Sequence, residues 1–235
     1  MKILALDTAS GLCSAALWVS GECATREFFT TREHAQRILP MVQSLLAEAE
    51  IGLTGLDAIA FGRGPGSFTG LRIAASVTQG LAFGAGLPVV PISDLRALAQ
   101  YALTAAIGAP SATRALACLD ARMQEVYWSL HTTDEAGAMC DAPEQVTAPA
   151  ALVDAVAALQ DSREHWVAAG RGLEAHAAAF ATLGLVPARV LAQAEPRARE
   201  IALLAAVDFQ AGLARSPEQA IPVYLRDQVA VIPRA

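Results

Sequence analysis

Residues 62–72 read GRGPGSFTGLR and place a glycine-rich turn between an apolar, strand-like run at 56–61 and a helical pattern at 67–83. Glycine and proline at this density predict a tight turn, because glycine tolerates backbone angles that other residues avoid. The simplest interpretation is a rigid corner that places the next helix. The candidate structural residues of this corner are Gly62, Gly64, Pro65, Gly66, Ser67 and Gly70.

The same turn can be tested as a phosphate-binding loop, because a strand, a glycine turn and a helix start expose free backbone N–H groups. A P-loop also needs a lysine that reaches the phosphates, and the single lysine of this chain is Lys2. The dinucleotide-binding pattern needs a third glycine, and Ser67 stands in its place after Gly62 and Gly64. A looser nest of backbone N–H groups stays open as an alternative to the rigid corner.

The composition predicts a protein with a full hydrophobic core, since 54% of its 235 residues are hydrophobic. No apolar run reaches the ~18 residues of a membrane span, so we expect a soluble, cytoplasmic chain without membrane contact. The net charge of −6 argues against binding of nucleic acid by this chain alone. The four cysteines lack metal-binding spacing, and we expect neither a disulfide framework nor a metal or other cofactor.

A repeated order of elements indicates the domain organisation. The pattern βββαβαβα is predicted twice, and Asp7 and Asp120 each close the first strand of a repeat. The first two helices of the second repeat are predicted at 150–160 and 173–183. This order predicts an α/β protein of two like domains with mixed sheets, at 1–106 and 107–235. The last helix, at 196–214, and the tail are candidates to pack back on the first domain.

Asp7 and Asp120, together with Gly170 and Gly172 after a later strand, form a candidate degenerate nucleotide site. Actin-type ATPases hold magnesium and phosphate with aspartates at such strand ends. The residues that follow both aspartates here are not glycine, although close approach of backbone to phosphate favours glycine. Productive ATP turnover by this chain alone is therefore not expected.

The first predicted helix, at 33–50, carries one histidine, His34, which could be part of a metal site. A second histidine four residues after His34 would place two imidazoles on one helical face. That position holds Ile38, so no metal site is expected. No Gly-x-Ser-x-Gly nucleophile elbow is present either.

The first two helices are the candidates for contact with a partner. The helix at 33–50 has a broad apolar face, and the helix at 67–83 has a side of small residues that permits close approach of another helix. Burial of both faces on the chain's own sheet explains the same spacing. Periodicity alone does not separate these two interpretations.

Four stretches, at 7–9, 62–72, 120–127 and 222–226, resemble the TsaB (YeaZ) family, and the similarity spans nearly the whole chain. The resemblance implies a two-domain, actin/hexokinase-like (ASKHA) fold. It also implies a role in making N6-threonylcarbamoyladenosine at position 37 of tRNA.

In the TsaB family the protein is a non-catalytic partner of TsaD, a paralogue that transfers the threonylcarbamoyl group. The resemblance further implies a homodimer when the chain is alone, docking of the ATPase TsaE on the heterodimer, and contact with tRNA only through the complex. The first two helices match those of the TsaB–TsaD helical bundle. The implied partner-binding residues are His34, Ile38, Leu39, Val42, Leu45, Leu71, Ala74, Ala75 and Thr78.

Rival hypotheses come from other functional classes. The strand-end aspartates are compatible with a self-contained actin-type ATPase, and Gly170 and Gly172 with a nucleotide-binding protein that does not cleave. Older labels for the family suggest a glycoprotease-like peptidase, for which the expected metal ligands are missing.

Overall fold

A computed structural model describes residues 1–105, 112–134, 137–155, 165–184 and 186–226. The first half of the chain forms a five-stranded mixed sheet in the order β3-β2-β1-β4-β5. The strands β1, β2 and β3 pair antiparallel, whereas β4 and β5 continue the sheet parallel to β1. These strands are β1 (Lys2–Asp7), β2 (Leu12–Val19), β3 (Glu22–Phe29), β4 (Ala58–Gly62) and β5 (Val89–Ile92).

The second half repeats this arrangement. Its sheet has the order β10-β9-β6-β7-β8, so the first strand of each half lies in the centre of its sheet. The strands are β6 (Arg114–Asp120), β7 (Val126–Thr132), β8 (Gln145–Thr147), β9 (Trp166–Ala169) and β10 (Arg189–Leu191). Two mixed sheets of identical strand order confirm the predicted α/β, actin/hexokinase-like fold class.

Six helices are described with the sheets, together with three short 3-10 turns at Leu53–Gly55, Pro149–Leu152 and Pro217–Gln219. The helices are α1 (His34–Glu48), α2 (Phe68–Ala85), α3 (Asp94–Ala105), α4 (Arg171–Ala175), α5 (Ala177–Thr182) and α6 (Ala198–Gln210). The single helix predicted at 173–183 is wrong, because the non-helical backbone of His176 separates α4 from α5. The predicted helix at 150–160 begins as a 3-10 turn, and 156–160 lie outside the described residues.

The largest apolar cluster lies between the two sheets. It combines residues of β1 and β4 with residues of β6 and β9, and α3 and α6 supply much of its volume. The helix α6 contacts β1, β2, β4 and β5 of the first sheet, although it comes from the end of the chain. The boundary between domains near residue 106 stays a prediction.

A second apolar cluster lies on the opposite face of the first sheet. It is formed by β1, β2 and β4 together with the inner sides of α1 and α2. The helices α1 and α2 therefore cover this face of the first sheet, and their other sides are exposed.

No described helix is both long enough and apolar enough to cross a membrane.

Candidate functional site: the glycine corner and the outer helix face

Each of the four corner glycines lies where a side chain would collide with another part of the chain. A Cβ atom added to Gly62 would lie 2.3 Å from Oδ1 of Asp94, and one added to Gly64 would lie 2.6 Å from the carbonyl oxygen of Val223. Gly64 also has φ +115°, in the region that favours glycine. The peptide bond between Gly64 and Pro65 is cis.

The other two corner glycines press the start of α2 against the segment after β1. An added Cβ would lie 2.6 Å from the carbonyl oxygen of Ala9 at Gly66, and 1.9 Å from that of Thr8 at Gly70. The Thr8 hydroxyl donates to the carbonyl oxygen of Gly70 at 2.6 Å. The backbone N–H of Ser67 donates to the carbonyl of Ala9 at 2.7 Å, and the Ser67 side chain caps α2 by accepting from the Gly70 N–H. The turn is thus filled by the chain's own backbone.

A buried pair of carboxyl groups, Asp7 and Asp94, lies beside this corner. Both residues are fully buried. Asp7 Oδ1 accepts from the N–H of Ala9 at 2.8 Å, and Asp94 Oδ2 accepts from the N–H of Gly64 at 2.5 Å. The other two oxygens, Asp7 Oδ2 and Asp94 Oδ1, accept no hydrogen bond from the described residues.

Burial raises the pKa values of both groups. Burial raises the pKa of Asp7 from 3.8 to about 7. The pKa of Asp94 is raised well above its usual value, first by burial and then by the charge of Asp7. Two carboxyl groups this close cannot both ionise cheaply. At neutral pH the pair therefore retains a proton.

Sequence reasoning missed Asp94. It follows the apolar run at 89–92 and carried no prediction of its own. The signal is topological: β1, β4 and β5 are parallel, so the residues after their carboxyl ends meet at one edge of the sheet. Asp7, Gly62 and Asp94 are brought together there.

Each aspartate of the predicted degenerate nucleotide site has its own partners, and their joint action stays a prediction. Asp7 interacts with Asp94 and with Glu195, whereas Asp120 accepts from the N–H of Arg122 at 2.9 Å and lies 3.5 Å from the His176 ring. No contact between Asp7 and Asp120 is found among the described residues. Glu195 is buried and pairs with Arg171 at 2.7 Å.

Gly170 and Gly172 have a steric explanation within the chain. A Cβ atom added to Gly170 would lie 2.1 Å from the carbonyl oxygen of Cys118, and one added to Gly172 would lie 2.6 Å from its Sγ. Both glycines therefore let the start of α4 pack closely on β6. No group of three or more potential metal ligands is found in the described part of the chain.

The predicted partner-binding set needs a correction. Of its nine residues only Leu39 is exposed, at 41%. The other eight are buried in the chain itself: His34, Ile38, Val42, Leu45, Leu71, Ala74, Ala75 and Thr78. They cannot contact a partner directly, because the apolar spacing that selected them marks the side packed on the first sheet. The His34 ring lies 2.9 Å from the Ser10 carbonyl oxygen.

The exposed sides of α1 and α2 form a different surface, which we call the outer helix face. On α2 it carries the small residues Ser76, Gly80 and Gly84, and nothing lies within 4 Å of a Cβ added to either glycine. On α1 it includes Leu39 and Gln43. A helix side without Cβ bulk permits close approach of another helix.

The fold and its corner define an actin/hexokinase-like protein in which the turn after β4 is occupied by the chain's own residues. A sequence model described as "TsaD: tRNA N6-adenosine threonylcarbamoyltransferase" matches residues 29–234. The tRNA threonylcarbamoyladenosine biosynthesis protein TsaB of Escherichia coli (strain K12) is 42% identical over 234 residues, which cover 98% of this chain and 96% of that protein. The TsaB protein of Haemophilus influenzae is 51% identical over 129 residues, 55% of this chain and 53% of that protein.

A solved structure agrees with these relatives. YeaZ from Pseudomonas aeruginosa matches with a TM-score of 0.84 at 40% identity, covering 95% of this chain and 99% of that one. The chain belongs to the TsaB family of tRNA threonylcarbamoyladenosine biosynthesis proteins. The resemblance of the four sequence stretches is thereby confirmed.

The steric account of the corner predicts opposite effects for two glycines of the same helix. We expect Gly70→Ala to lower the free energy of unfolding by about 1–3 kcal/mol or more, because the new methyl group meets a backbone carbonyl. Gly80→Ala should raise it by roughly 0.5–1 kcal/mol, since it adds helix propensity in open space. Urea unfolding measures both. Equal effects of the two substitutions would contradict the account.

The carboxyl pair predicts a pH dependence of stability. The pKa of Asp7 is about 7 in the folded chain, against an ordinary value of 3.8 that applies to the unfolded chain. The protonated form of Asp7 therefore favours folding at low pH. This stabilisation is lost as the pH rises from about 4 through about 7, with a slope of at most about 1.4 kcal/mol per pH unit for one group.

Asp94→Asn should make this loss smaller. The amide still accepts from Gly64 and can donate to Asp7, but the second titrating group is gone. The measurement is urea unfolding of both proteins at several pH values between 4 and 8. An identical pH profile for the variant would show that the pair is not coupled.

Proposed function

We propose that this chain is a non-catalytic scaffold and activator subunit that forms a heterodimer with TsaD for N6-threonylcarbamoyladenosine modification at position 37 of tRNA. TsaE joins this heterodimer, and the isolated chain pairs with itself. The observation that carries the proposal is the outer helix face, since Ser76, Gly80 and Gly84 leave one side of α2 bare at the surface. The tRNA substrate places this assembly in the cytoplasm.

The geometry of the glycine corner supports the proposal that the chain has no catalytic activity of its own. The space on the Cβ side of the glycines in these turns is occupied by Thr8, Ala9 and Cys118 of the same chain. On α1, the position one turn after His34 is Ile38, and both residues are buried. The histidine pair that a helix-borne metal site needs is therefore not available on this helix.

The identity of the partner is supported by the comparisons. The E. coli relative is named for tRNA threonylcarbamoyladenosine biosynthesis, and the matching family is described as the threonylcarbamoyltransferase TsaD. A partner with the same fold would present an equivalent pair of helices. Two such pairs pack as a helical bundle, and small residues bring the helix axes together to bury the ~1,000 Å² that a stable interface requires.

The pairing can be tested with substitutions on the outer helix face. Arginine at position 45 or 74 would unfold the chain, because Leu45 and Ala74 are buried. We therefore choose Gly80→Arg, which adds a long charged side chain in open space. The affinity for TsaD, measured by calorimetry, should fall at least about 30-fold, the loss typical of an interface hot spot.

A matched control is Ala178→Arg, which places the same side chain on the exposed surface of α5 in the second half. It should leave the affinity unchanged, and circular dichroism should show both variants folded. Wild-type affinity of Gly80→Arg for TsaD would refute the interface.

The scaffold role predicts an activity that needs both proteins. Threonylcarbamoyl transfer to tRNA by TsaD and TsaE should be stimulated by the unsubstituted chain and by Ala178→Arg, but not by Gly80→Arg. Transfer, ATP hydrolysis or peptide cleavage by this chain alone would contradict a non-catalytic role and favour one of the rival classes.

A further inference from the structure

An aromatic and arginine cluster lies at the amino-terminal end of α2. The rings of Phe68 and Tyr224 are 5.4 Å apart between centroids. The Arg72 guanidinium lies over the Phe68 ring, 3.9 Å from its centroid, and Arg72 Nε donates to the Tyr224 hydroxyl at 3.1 Å. We call these three residues the stacking platform. They are joined although Arg72 and Tyr224 are 152 positions apart in the chain.

The stacking platform is exposed but held in place. Phe68 is 53% exposed and Tyr224 is 42% exposed. Both rings thus leave a large part of their apolar surface in contact with water. The segment that carries Tyr224 is anchored on both sides. The N–H of Val223 donates to the carbonyl oxygen of Arg63 at 2.7 Å, and Arg226 pairs with Glu125. The rings are therefore held in place and partly exposed to solvent.

Arg72 differs from the other arginines near the platform in its lack of a carboxylate partner among the described residues. Arg63 pairs with Glu144 at 3.1 Å, Arg122 with Asp120 at 3.4 Å, and Arg226 with Glu125. Arg72 has no carboxylate partner among the described residues, and its two terminal nitrogens donate to none of them. Its Nε is used to fix its position. The guanidinium is thus oriented by the two rings and keeps its remaining donors for a ligand.

We propose that the stacking platform binds an unpaired segment of RNA, with a base stacked on the exposed rings and a phosphate bound by Arg72. This inference rests on the proposed function, because the RNA is the tRNA that the complex modifies. Loops of tRNA expose unstacked bases, and proteins recognise them by stacking on aromatic rings and guanidinium planes. Two exposed rings inclined by 36°, beside a guanidinium without a carboxylate partner, match a base and its phosphate better than they match the apolar side of a helix.

The overall charge limits what this contact can do alone. With a net charge of −6, the chain repels RNA at long range. The platform therefore contributes only after the partner has brought the RNA to the surface. It adds a local contact to the affinity of the assembled complex and does not replace the binding surface of the partner.

The test uses the assembled complex with TsaD and an unmodified anticodon stem-loop RNA as the probe. In Phe68→Leu the surface stays apolar but the ring is lost. The matched control is Phe29→Leu, because Phe29 is also a strongly exposed ring, at 63%, but lies on β3 and outside α2. We expect Phe68→Leu to weaken binding of the stem-loop about 5-fold or more, the loss of one stacked base. Phe29→Leu and binding of a fully paired RNA duplex should be unaffected.

A second variant tests the phosphate contact. Arg72→Gln should reduce the slope of log affinity against log salt concentration by about 0.7, the contribution of one phosphate in single-stranded nucleic acid. Unchanged stem-loop affinity in Phe68→Leu, or an unchanged salt slope in Arg72→Gln, would overturn the inference.

Two other outcomes separate the possible failures. If Phe68→Leu weakens pairing with TsaD while the assembled complex retains its RNA affinity, the platform is a protein contact and the RNA inference is wrong. If the unsubstituted chain does not join TsaD, the proposed function fails, and this inference fails with it. A complex that assembles normally and binds the stem-loop equally well with either residue at position 68 refutes the RNA contact alone.

Discussion

The contact between Gly70 and the backbone of Thr8 is the constraint on which the rest of the first half depends. With any larger residue at position 70, the start of α2 would have to move away from the end of β1. The contact fixes the direction of α2 across the sheet, so that Ala75 and Ala82 enter the core beneath it. The side of α2 that carries Gly80 is turned outward as a consequence.

The corner also explains why a glycine-rich turn after a strand need not be a phosphate-binding loop. Its glycines at 62, 66, 70, 170 and 172 all admit atoms of the same chain where a Cβ would be. The aspartate that would be expected to act at the end of β1, Asp7, is fully buried and its pKa is raised to about 7. A buried carboxyl group whose pKa is raised is suited to holding the corner together through the N–H of Ala9, and less suited to holding a metal ion.

Much of the fold was predictable from sequence, because it depends on local patterns. Short apolar runs that end in Asp7 and Asp120 predicted both central strands, and the glycine density at 62–72 predicted the corner. The sides of α1 and α2 were not predictable, because periodicity identifies an apolar side and does not tell what covers it. His34 and Leu45 were selected on that basis and are buried.

Other features depend on contacts between distant parts of the chain. Asp94 meets Asp7 only because β1, β4 and β5 are parallel neighbours. Tyr224 meets Phe68 only because the tail returns to the corner, where Val223 pairs with Arg63. Neither contact can be predicted from residue spacing. The first depends on the order of the strands in the sheet, and the second depends on the path of the last segment.

The central claim is that the corner is a structural joint and that function lies on the outer surface. A calorimetric titration of the isolated chain with magnesium and ATP tests it most directly. Glycine-rich turns are typical of phosphate-binding sites, and the titration measures whether these turns bind ATP. The account predicts no saturable heat of binding, since backbone atoms of Thr8, Ala9 and Cys118 occupy the approach to these glycines. Saturable binding at one site per chain would contradict it.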